Sequence, residues 1–189
     1  MGILDSIIKL DKELFLFLNG INNSVFDFLM FHISEKITWV PLYIFVAVLI
    51  YRKFKLKNGL LILLMFGLLI SLTDQTSVHL FKNTIQRFRP CFNNEILHQV
   101  HFIEIPGSKF GFVSSHAANA FGFAVLSLLV LKNKTYTISI LIWAIVVSYS
   151  RIYLGVHYPG DILGGAFLGT FLTIPVYIIL NKFVKLQNY

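Results

Sequence analysis

Five apolar stretches in this chain each approach the length that a helix needs to cross a bilayer. That length is about 20 mostly apolar residues. The stretches cover residues 26–51, 59–80, 115–131, 135–153 and 162–181. Because lipid offers the backbone no hydrogen-bond partners, continuous apolar segments of this length cross as helices. The sequence therefore predicts an all-α, polytopic membrane helical bundle with five to six transmembrane helices.

The composition supports lipid as the solvent. Hydrophobic residues make up 56% of the 189 residues and charged residues only 13%, against about 25% charged in an average soluble domain. The length suits a single domain, residues 1–189. The formal charge of +7 does not indicate a nucleic-acid partner, because the basic residues lie between the apolar runs and form no stripe with interleaved aromatics.

The first 20 residues combine an apolar face with charges such as Asp5, Lys9 and Lys12. This pattern predicts an amphipathic helix that lies in the membrane interface, with a sixth crossing as the alternative. The stretch has no basic leader and no small-residue cleavage site, so we expect no removable signal peptide. The one cysteine, Cys91, has no partner for an internal disulfide.

The lysines and arginines between the apolar stretches predict the orientation. They form groups at 52–57, 132–134 and 182–185, which share one side if all five stretches cross. By the positive-inside rule this side is cytoplasmic. Residues 81–114 and 154–161 then face outward and carry most of the polar side chains that could do chemistry. We therefore expect the function on the outer face.

Several polar residues receive structural interpretations. Asp74 lies inside the second stretch, where a carboxylate is costly unless it is paired, so we expect a pairing with Lys82 or His79. His98 and His101 lack thiolate or carboxylate support at the usual zinc spacings, and no metal site is predicted.

Glycines in the last stretch, Gly164, Gly165 and Gly169, are interpreted as small residues that let two helices approach closely. No catalytic role is assigned to them.

Three polar clusters lie at the predicted outer ends of the helices. They read "KNTIQRFRP" at 82–90, "VSSH" at 113–116 and "SRIYLGVHYPGD" at 150–161. Arg89 and Arg151 can each grip phosphate oxygens with two donors, and Lys82 adds a compact charge. Ser114 can cap the third helix, whose free backbone N–H groups favour an anion. These residues predict a phosphate pocket.

Two histidines and a carboxylate complete the pattern. His157 precedes Pro159, a residue suited to the first turn of a helix, so Asp161 can accept a hydrogen bond from the ring. Such a carboxylate fixes the tautomer and leaves the other ring nitrogen free to attack. We therefore predict His157 as the nucleophile and His116 as the proton donor to the leaving oxygen.

The clusters resemble those of the type 2 phosphatidic acid phosphatases (PAP2), a family that includes bacterial membrane lipid phosphatases and relatives of vanadium haloperoxidases. The family pattern of Lys, six residues and Arg-Pro is met in full by Lys82 and Arg89-Pro90. The pattern of Ser-Arg, five residues, His, three residues and Asp is met at Ser150, Arg151, His157 and Asp161.

The second family pattern, Pro-Ser-Gly-His, is matched only at Ser114 and His116. Val113 replaces the proline and Ser115 replaces the glycine. The glycine lets the backbone approach the phosphate, so Ser115 either narrows the pocket or adds a hydroxyl donor to it. We include Ser115 among the candidate phosphate-binding residues.

The resemblance implies a phosphohistidine intermediate on His157 and protonation of the leaving group by His116, with no metal and no cofactor. It also implies phosphate contacts from Lys82, Arg89, Ser114 and Arg151. The positive side chains and the helix start would then stabilise the charge that Mg²⁺ stabilises in other phosphoryl transfer sites.

The small size and the outward site are similar to those of bacterial undecaprenyl pyrophosphate phosphatases, which makes that lipid the expected substrate. Lipid A phosphatase and phosphatidylglycerophosphate phosphatase are the alternatives. A carrier or scaffold that only binds phosphate head groups is the non-enzyme alternative, but binding alone has no use for a histidine held by an aspartate. The expected location is the bacterial cytoplasmic membrane, with membrane lipids around the chain and the site facing the periplasm or the exterior. No oligomeric state is predicted.

Overall fold

A computed structural model describes residues 2–186 of the chain. Its helices are α1 (Ile3–Gly20), α2 (Ser24–Ser34), α3 (Val40–Thr76), α4 (Asn83–Ile85), α5 (Ser115–Leu131), α6 (Lys134–Tyr153) and α7 (Pro159–Val184). A π-helical segment, Ser77–Lys82, joins α3 to α4. Residues 2–186 contain one isolated β-bridge and no β-strand. The predicted all-α class is confirmed.

Helix α3 reverses its direction at Lys55, where φ is 63° and the helical geometry breaks. A Cβ added to Gly59 would lie 3.6 Å from the Cα of Tyr51. This short distance shows that the chain doubles back at Lys55. Helix α3 therefore consists of two arms, residues 40–54 and 56–76. The turn between the arms carries the first basic group of the sequence.

The long apolar helices correspond to the predicted apolar stretches. Three helical segments are long and apolar enough to cross: Lys36–Ile85, α6 and α7. The first is 50 residues long and contains both arms of α3. Helix α5 is a shorter apolar helix whose bounds coincide with the predicted stretch 115–131. The two arms of α3 and the helices α5, α6 and α7 are thus five apolar segments, as many as the sequence predicts to cross.

Helix α1 lies along one end of the bundle. The side-chain amide of Asn19 donates to the carbonyls of Ile152 and Tyr153 at 3.2 and 2.8 Å. Phe15 is fully buried and packs edge-on against Tyr158, with 5.3 Å between the ring centroids. Other apolar side chains of α1, such as Ile3 and Phe17, are exposed and available to lipid. The predicted helix is present, but α1 and α2 together are also apolar enough for a broken span, bent by 116°, so the interfacial location of α1 stays a prediction.

Helix α2 lies across the same end, and this corrects the predicted first span. The backbone N–H of Asn23 donates to the Tyr153 hydroxyl at 3.2 Å, and Ser34 accepts from Arg151. Both ends of α2 therefore contact the last turn of α6. The helical path breaks at Glu35, where ψ is 128°. The long apolar segment starts after this break, at Lys36. The predicted start of the first span at residue 26 is therefore wrong, because it includes most of α2.

The three basic groups of the sequence meet at the opposite end of the bundle. Lys53 Nζ donates to the carbonyls of Val130 and Leu131 at 3.2 and 2.8 Å. Lys132 Nζ donates to the carbonyl of Leu186 at 2.7 Å. These cations satisfy carbonyl groups at or beyond helix C-termini, where positive charge is favoured. The predicted grouping of the basic residues on one side is confirmed.

Small residues let α5 and α7 touch along their outer halves. A Cβ on Gly165 would collide with the carbonyl oxygen of Ser114, and one on Gly169 would collide with the carbonyl oxygen of Ala118. Thr173 adds a hydrogen bond of 3.3 Å to the carbonyl of Gly122. This contact fixes the start of α5 beside the start of α7, as small residues do in membranes.

We predict that Gly169→Ala destabilises the protein. The added methyl group must separate α5 from α7, and overpacking of this kind costs about 1–3 kcal/mol. The matched control is Gly67→Ala in α3, because nothing lies within 4 Å of that position and alanine is the better helix former. Thermal unfolding in detergent should give a lower midpoint for Gly169→Ala than for Gly67→Ala. Equal midpoints would contradict the close packing.

Candidate active site

A cavity of about 620 Å³ lies between α3, α5 and α6, beneath the loop 86–114. Its polar end is lined by Lys82, Arg89, Ser115, His116, Arg151 and His157. Its apolar end is lined by aromatic side chains, among them Trp39, Tyr43, Phe66, Phe123 and Trp143. Six of the eight predicted site residues therefore share one cavity. The other two, Ser114 and Asp161, lie behind its wall.

His157 sits at the base of the polar end and is only 1% exposed. Its Nδ1 lies 3.2 Å from Asp161 Oδ2, and its Nε2 lies 2.7 Å from Arg89 Nη1. A guanidinium can only donate hydrogen bonds, so Nε2 carries the lone pair and Nδ1 carries the proton. We assign the Nδ1–H tautomer on this basis. The nitrogen that faces the cavity is the one able to act as a nucleophile.

Asp161 is fully buried, and each of its oxygens is engaged. Oδ1 accepts from Arg87 Nη1 at 2.9 Å, while Oδ2 accepts from the backbone N–H of Tyr158 at 3.0 Å and faces His157. The loop also packs tightly over the carboxylate, since a Cβ added to Gly111 would lie 2.9 Å from Oδ2. The carboxylate therefore has one orientation, and this orientation aims it at His157.

Arg89 is held by backbone carbonyls on two sides. Its Nε donates to Ser108 at 2.8 Å and its Nη1 donates to Val156 at 3.0 Å. Burial and the neighbouring Arg151 lower the pKa of Arg89 to about 10, so the side chain remains a cation at neutral pH. These contacts hold the guanidinium beside His157 without neutralising its charge.

Arg151 is 5% exposed and reaches the cavity from the end of α6. Its Nη1 donates to Ser34 and, at 3.2 Å, to Glu104 Oε2. Its Nε is buried and has no hydrogen-bond partner among residues 2–186. A buried N–H without a partner is unfavourable, and a bound anion would be a suitable acceptor.

Lys82 and the start of α5 form the opposite wall. Lys82 Nζ donates to Ser115 Oγ at 2.7 Å, and this hydroxyl also lies 2.6 Å from Ser77 Oγ. Ser115, at the position of the family glycine, therefore brings a hydroxyl into the cavity. His116 is the next residue and is half-buried. The ring of His116 makes no hydrogen bond within residues 2–186.

Ser114 points away from the cavity. Its hydroxyl caps α5 by accepting from the backbone N–H of Ala117 at 3.4 Å, and its own N–H donates to the carbonyl of Asp161 at 3.0 Å. The side chain thus holds the start of α5 against the start of α7. Its predicted contact with phosphate stays a prediction.

No salt bridge joins Asp74 to Lys82 or His79, although Asp74 and Lys82 interact electrostatically, so the expected pairing stays a prediction. The carboxylate lines the cavity instead, and Lys82 donates to Ser115. Asp74 is exposed.

Two residues that sequence reasoning missed also support the site. Arg87 lies inside the first cluster, but the family pattern specifies only Lys82 and Arg89 there. Asp11 lies on the polar face of α1 and contacts Arg87 at 2.7 Å. An acid on the polar face of an interfacial helix gives no sign of this contact, because 75 intervening residues separate it from Arg87 in the sequence.

The charge around the cavity comes from side-chain cations. Lys82, Arg89 and Arg151 line its polar end. Within residues 2–186, no group of three His, Cys, Asp or Glu side chains is placed to hold a metal ion. The arrangement can offer an anion three cations, beside a histidine nitrogen whose lone pair accepts a hydrogen bond from Arg89.

Comparison with known proteins shows the family of the chain. The sequence model of the PAP2 superfamily matches residues 58–185, which contain all three clusters. The chain is 35% identical over 182 residues to the lipid A 4'-phosphatase of Bacteroides thetaiotaomicron, covering 95% of this chain and 81% of that protein. It is 34% identical over 177 residues to the lipid A 4'-phosphatase of Porphyromonas gingivalis, covering 92% and 74%. An undecaprenyl-diphosphatase of Sulfolobus acidocaldarius is 29% identical over 169 residues, covering 88% and 76%.

Solved structures show the same fold. The transmembrane PAP2 type phosphatidylglycerolphosphate phosphatase from Bacillus subtilis superposes with a TM-score of 0.70 at 26% identity, over 94% of this chain and 88% of that one. LpxE from Aquifex aeolicus gives 0.62 at 25% identity, over 92% and 96%. A multi-pass bundle with this site is a membrane lipid phosphatase. The chain belongs to the PAP2 superfamily.

We predict that His157 stays neutral, as the Nδ1–H tautomer, from pH 6 to 8. Burial, reinforced by the cations of Arg89 and Arg151, holds the pKa of His157 well below the ordinary value of 6.5. The surrounding charges are Lys82, Arg87, Arg89 and Arg151 against Asp161. Because the pKa is lowered in the folded protein, the ring takes up a proton only when the pH falls far below the pKa of an ordinary histidine.

Nitrogen NMR of ¹⁵N-histidine-labelled protein in detergent micelles measures this state. The His157 signal, assigned through a His157→Asn variant, should show no titration above pH 6. A midpoint near 6.5 would contradict the electrostatic description of the site.

Proposed function

We propose that this protein hydrolyses a phosphate monoester of a lipid A-type glycolipid and releases phosphate. One observation carries the proposal: a cationic pocket and an aromatic-lined apolar chamber form a single cavity inside a membrane bundle. Such a cavity can hold a phosphate at one end while the apolar part of the same molecule stays in contact with the bundle. The likeness to two lipid A 4'-phosphatases over more than nine-tenths of this chain supports the choice of lipid.

The comparisons favour this substrate over undecaprenyl pyrophosphate, which the sequence led us to expect. The undecaprenyl-diphosphatase is a more distant relative, at 29% identity. Phosphatidylglycerophosphate is the second candidate, because the phosphatidylglycerolphosphate phosphatase from Bacillus subtilis shares the fold with a TM-score of 0.70.

The reaction begins when the phosphate takes the position between the three cations. Arg89 donates to a phosphate oxygen in place of His157 Nε2, and this exchange frees the lone pair of the ring. Nε2 then attacks phosphorus, and the bond from phosphorus to the leaving oxygen breaks. Lys82, Arg89, Arg151 and the N–H groups at the start of α5 stabilise the charge on the equatorial oxygens.

Asp161 stabilises the positive charge that develops on the His157 ring. His116 gives its proton to the leaving oxygen, so the sugar departs as an alcohol. In the second half of the reaction, His116 takes a proton from water as the water attacks the phosphohistidine. Phosphate is released, and both histidines return to their starting protonation states.

The site is proposed to face the outside of the bacterial cytoplasmic membrane. The polar clusters and the basic groups lie at opposite ends of the bundle, and lysine and arginine are enriched on the cytoplasmic side. The phosphate that is removed would then belong to a lipid of the outer leaflet.

The deciding experiment is a phosphate-release assay of the purified protein on three lipids. We expect turnover on lipid A to exceed that on phosphatidylglycerophosphate and undecaprenyl pyrophosphate. His157→Ala should abolish turnover while substrate binding is retained, because the variant lacks the attacking nitrogen. The control is His98→Ala, since His98 is exposed and does not line the cavity.

Each outcome separates the alternatives. Cleavage of undecaprenyl pyrophosphate alone would restore that lipid as the substrate. Full turnover by His157→Ala would remove the proposed nucleophile. Binding without turnover by the wild type on every lipid would favour a carrier of phosphate head groups.

For His116→Ala we predict a loss of about a hundredfold or more in kcat on phosphate monoesters, the usual contribution of a general acid. The loss should shrink on substrates with good leaving groups, such as an aryl phosphate, because these need less protonation. The measurement is kcat across a series of leaving groups. An equal loss across the series would show that His116 only shapes the cavity.

A further inference from the structure

Arg87 joins two carboxylates from distant parts of the chain. Its Nη1 donates to Asp161 Oδ1 at 2.9 Å and its Nη2 donates to Asp11 Oδ2 at 2.7 Å. The guanidinium also lies over the ring of Tyr158, 4.1 Å from the centroid. Its position is therefore fixed on three sides.

Asp11 makes a second contact that ties α1 to α7. Its Oδ1 accepts from the backbone N–H of Gly160 at 2.8 Å. This N–H belongs to the first turn of α7, where a negative charge is favoured. Glycine leaves room for this carboxylate, because a Cβ at position 160 would lie 2.8 Å from Asp11 Oδ2. The interfacial helix thus holds the turn that carries Asp161.

Arg87 determines how Asp161 faces the nucleophile. With Oδ1 held by the guanidinium, Oδ2 is the oxygen left for His157 Nδ1, at 3.2 Å. The Asp161 side chain is 0% exposed, so loss of the guanidinium would leave a buried carboxylate without its cationic partner. A buried carboxylate that loses its cationic partner is strongly destabilised where it stands. We expect it to turn toward another donor.

We propose that Arg87 and Asp11 are positioning residues for the pair of His157 and Asp161, and that the interfacial helix α1 is thereby part of the active site. The proposal rests on the function proposed above, in which His157 attacks phosphorus. Neither Arg87 nor Asp11 lines the cavity. Their effect should therefore fall on the chemical step and leave substrate binding unchanged.

The test compares Arg87→Gln, Arg87→Lys and Asp11→Asn with the wild type in detergent. Kinetics are measured on the best lipid phosphate of the panel. We expect Arg87→Gln to lower kcat by about 10- to 100-fold, the usual effect of a small misplacement of reacting groups, with KM within twofold of the wild type. Arg87→Lys should recover part of kcat, because lysine keeps the charge but offers no planar fork for two carboxylates.

Asp11→Asn should lower kcat less than Arg87→Gln, since the amide oxygen still accepts from Gly160. The double variant should be no slower than Arg87→Gln alone, because Asp11→Asn keeps the contact with Gly160 and removes only the ion pair with Arg87. Arg52→Gln and Asp5→Asn are the matched controls. Arg52 lies at the opposite end of the bundle and Asp5 bonds only within the first turn of α1.

An NMR measurement separates this proposal from the function on which it rests. In Arg87→Gln the ¹⁵N signals of the His157 ring should show the loss of a single Nδ1–H tautomer, whatever the substrate is. If the wild type is inactive on every lipid, the proposed function is refuted. The ¹⁵N signals of the His157 ring would then still test the positioning role of Arg87. An unchanged ring signal, or a kcat equal to that of Arg52→Gln, would overturn the positioning role. A rise in KM that accounts for the whole loss of kcat/KM would overturn it as well.

Discussion

The close approach of α5 and α7 is the contact on which the site depends. Gly165 and Gly169 let the two helices touch at backbone distance, and Ser114 bonds to Asp161 across the gap. Without that approach, the start of α5 and the start of α7 would be separate helix ends. With it, His116 and Ser115 lie on one side of a cavity and His157 lies on the other.

Burial of charge is the second constraint. Arg89, Arg151 and Asp161 are each less than a tenth exposed, in a bundle whose outside is lipid. Such groups are tolerated only when each is paired or bonded, and the loop 86–114 and the end of α2 supply many of those partners. Ser108 and Glu104 hold the arginines, and Arg87 holds the carboxylate. The loop is therefore part of the electrostatic structure of the site as well as its cover.

The sequence predicted the crossing helices and the polar residues that line the cavity, because both leave local signals. Apolar length gave α5 and α6, and the spacing of the clusters gave His157 with Asp161. The start of the first crossing was wrong, because α2 is as apolar as a membrane span and only its contacts with Tyr153 and Arg151 show that it lies across the bundle. Nothing in the sequence indicated, either, that Lys82 donates to Ser115 rather than directly to Asp74. The contact between Asp11 and Arg87 depends on tertiary packing, and no spacing rule can indicate it.

The hydrogen bond between Arg89 and His157 has one more consequence. In the resting protein the lone pair of Nε2 is occupied by the same guanidinium that is expected to grip the phosphate. A ligand with several acceptor oxygens can compete with Nε2 for the hydrogen bond from Arg89. On the proposed mechanism, the lone pair of Nε2 thus becomes available only when an anion binds to Arg89.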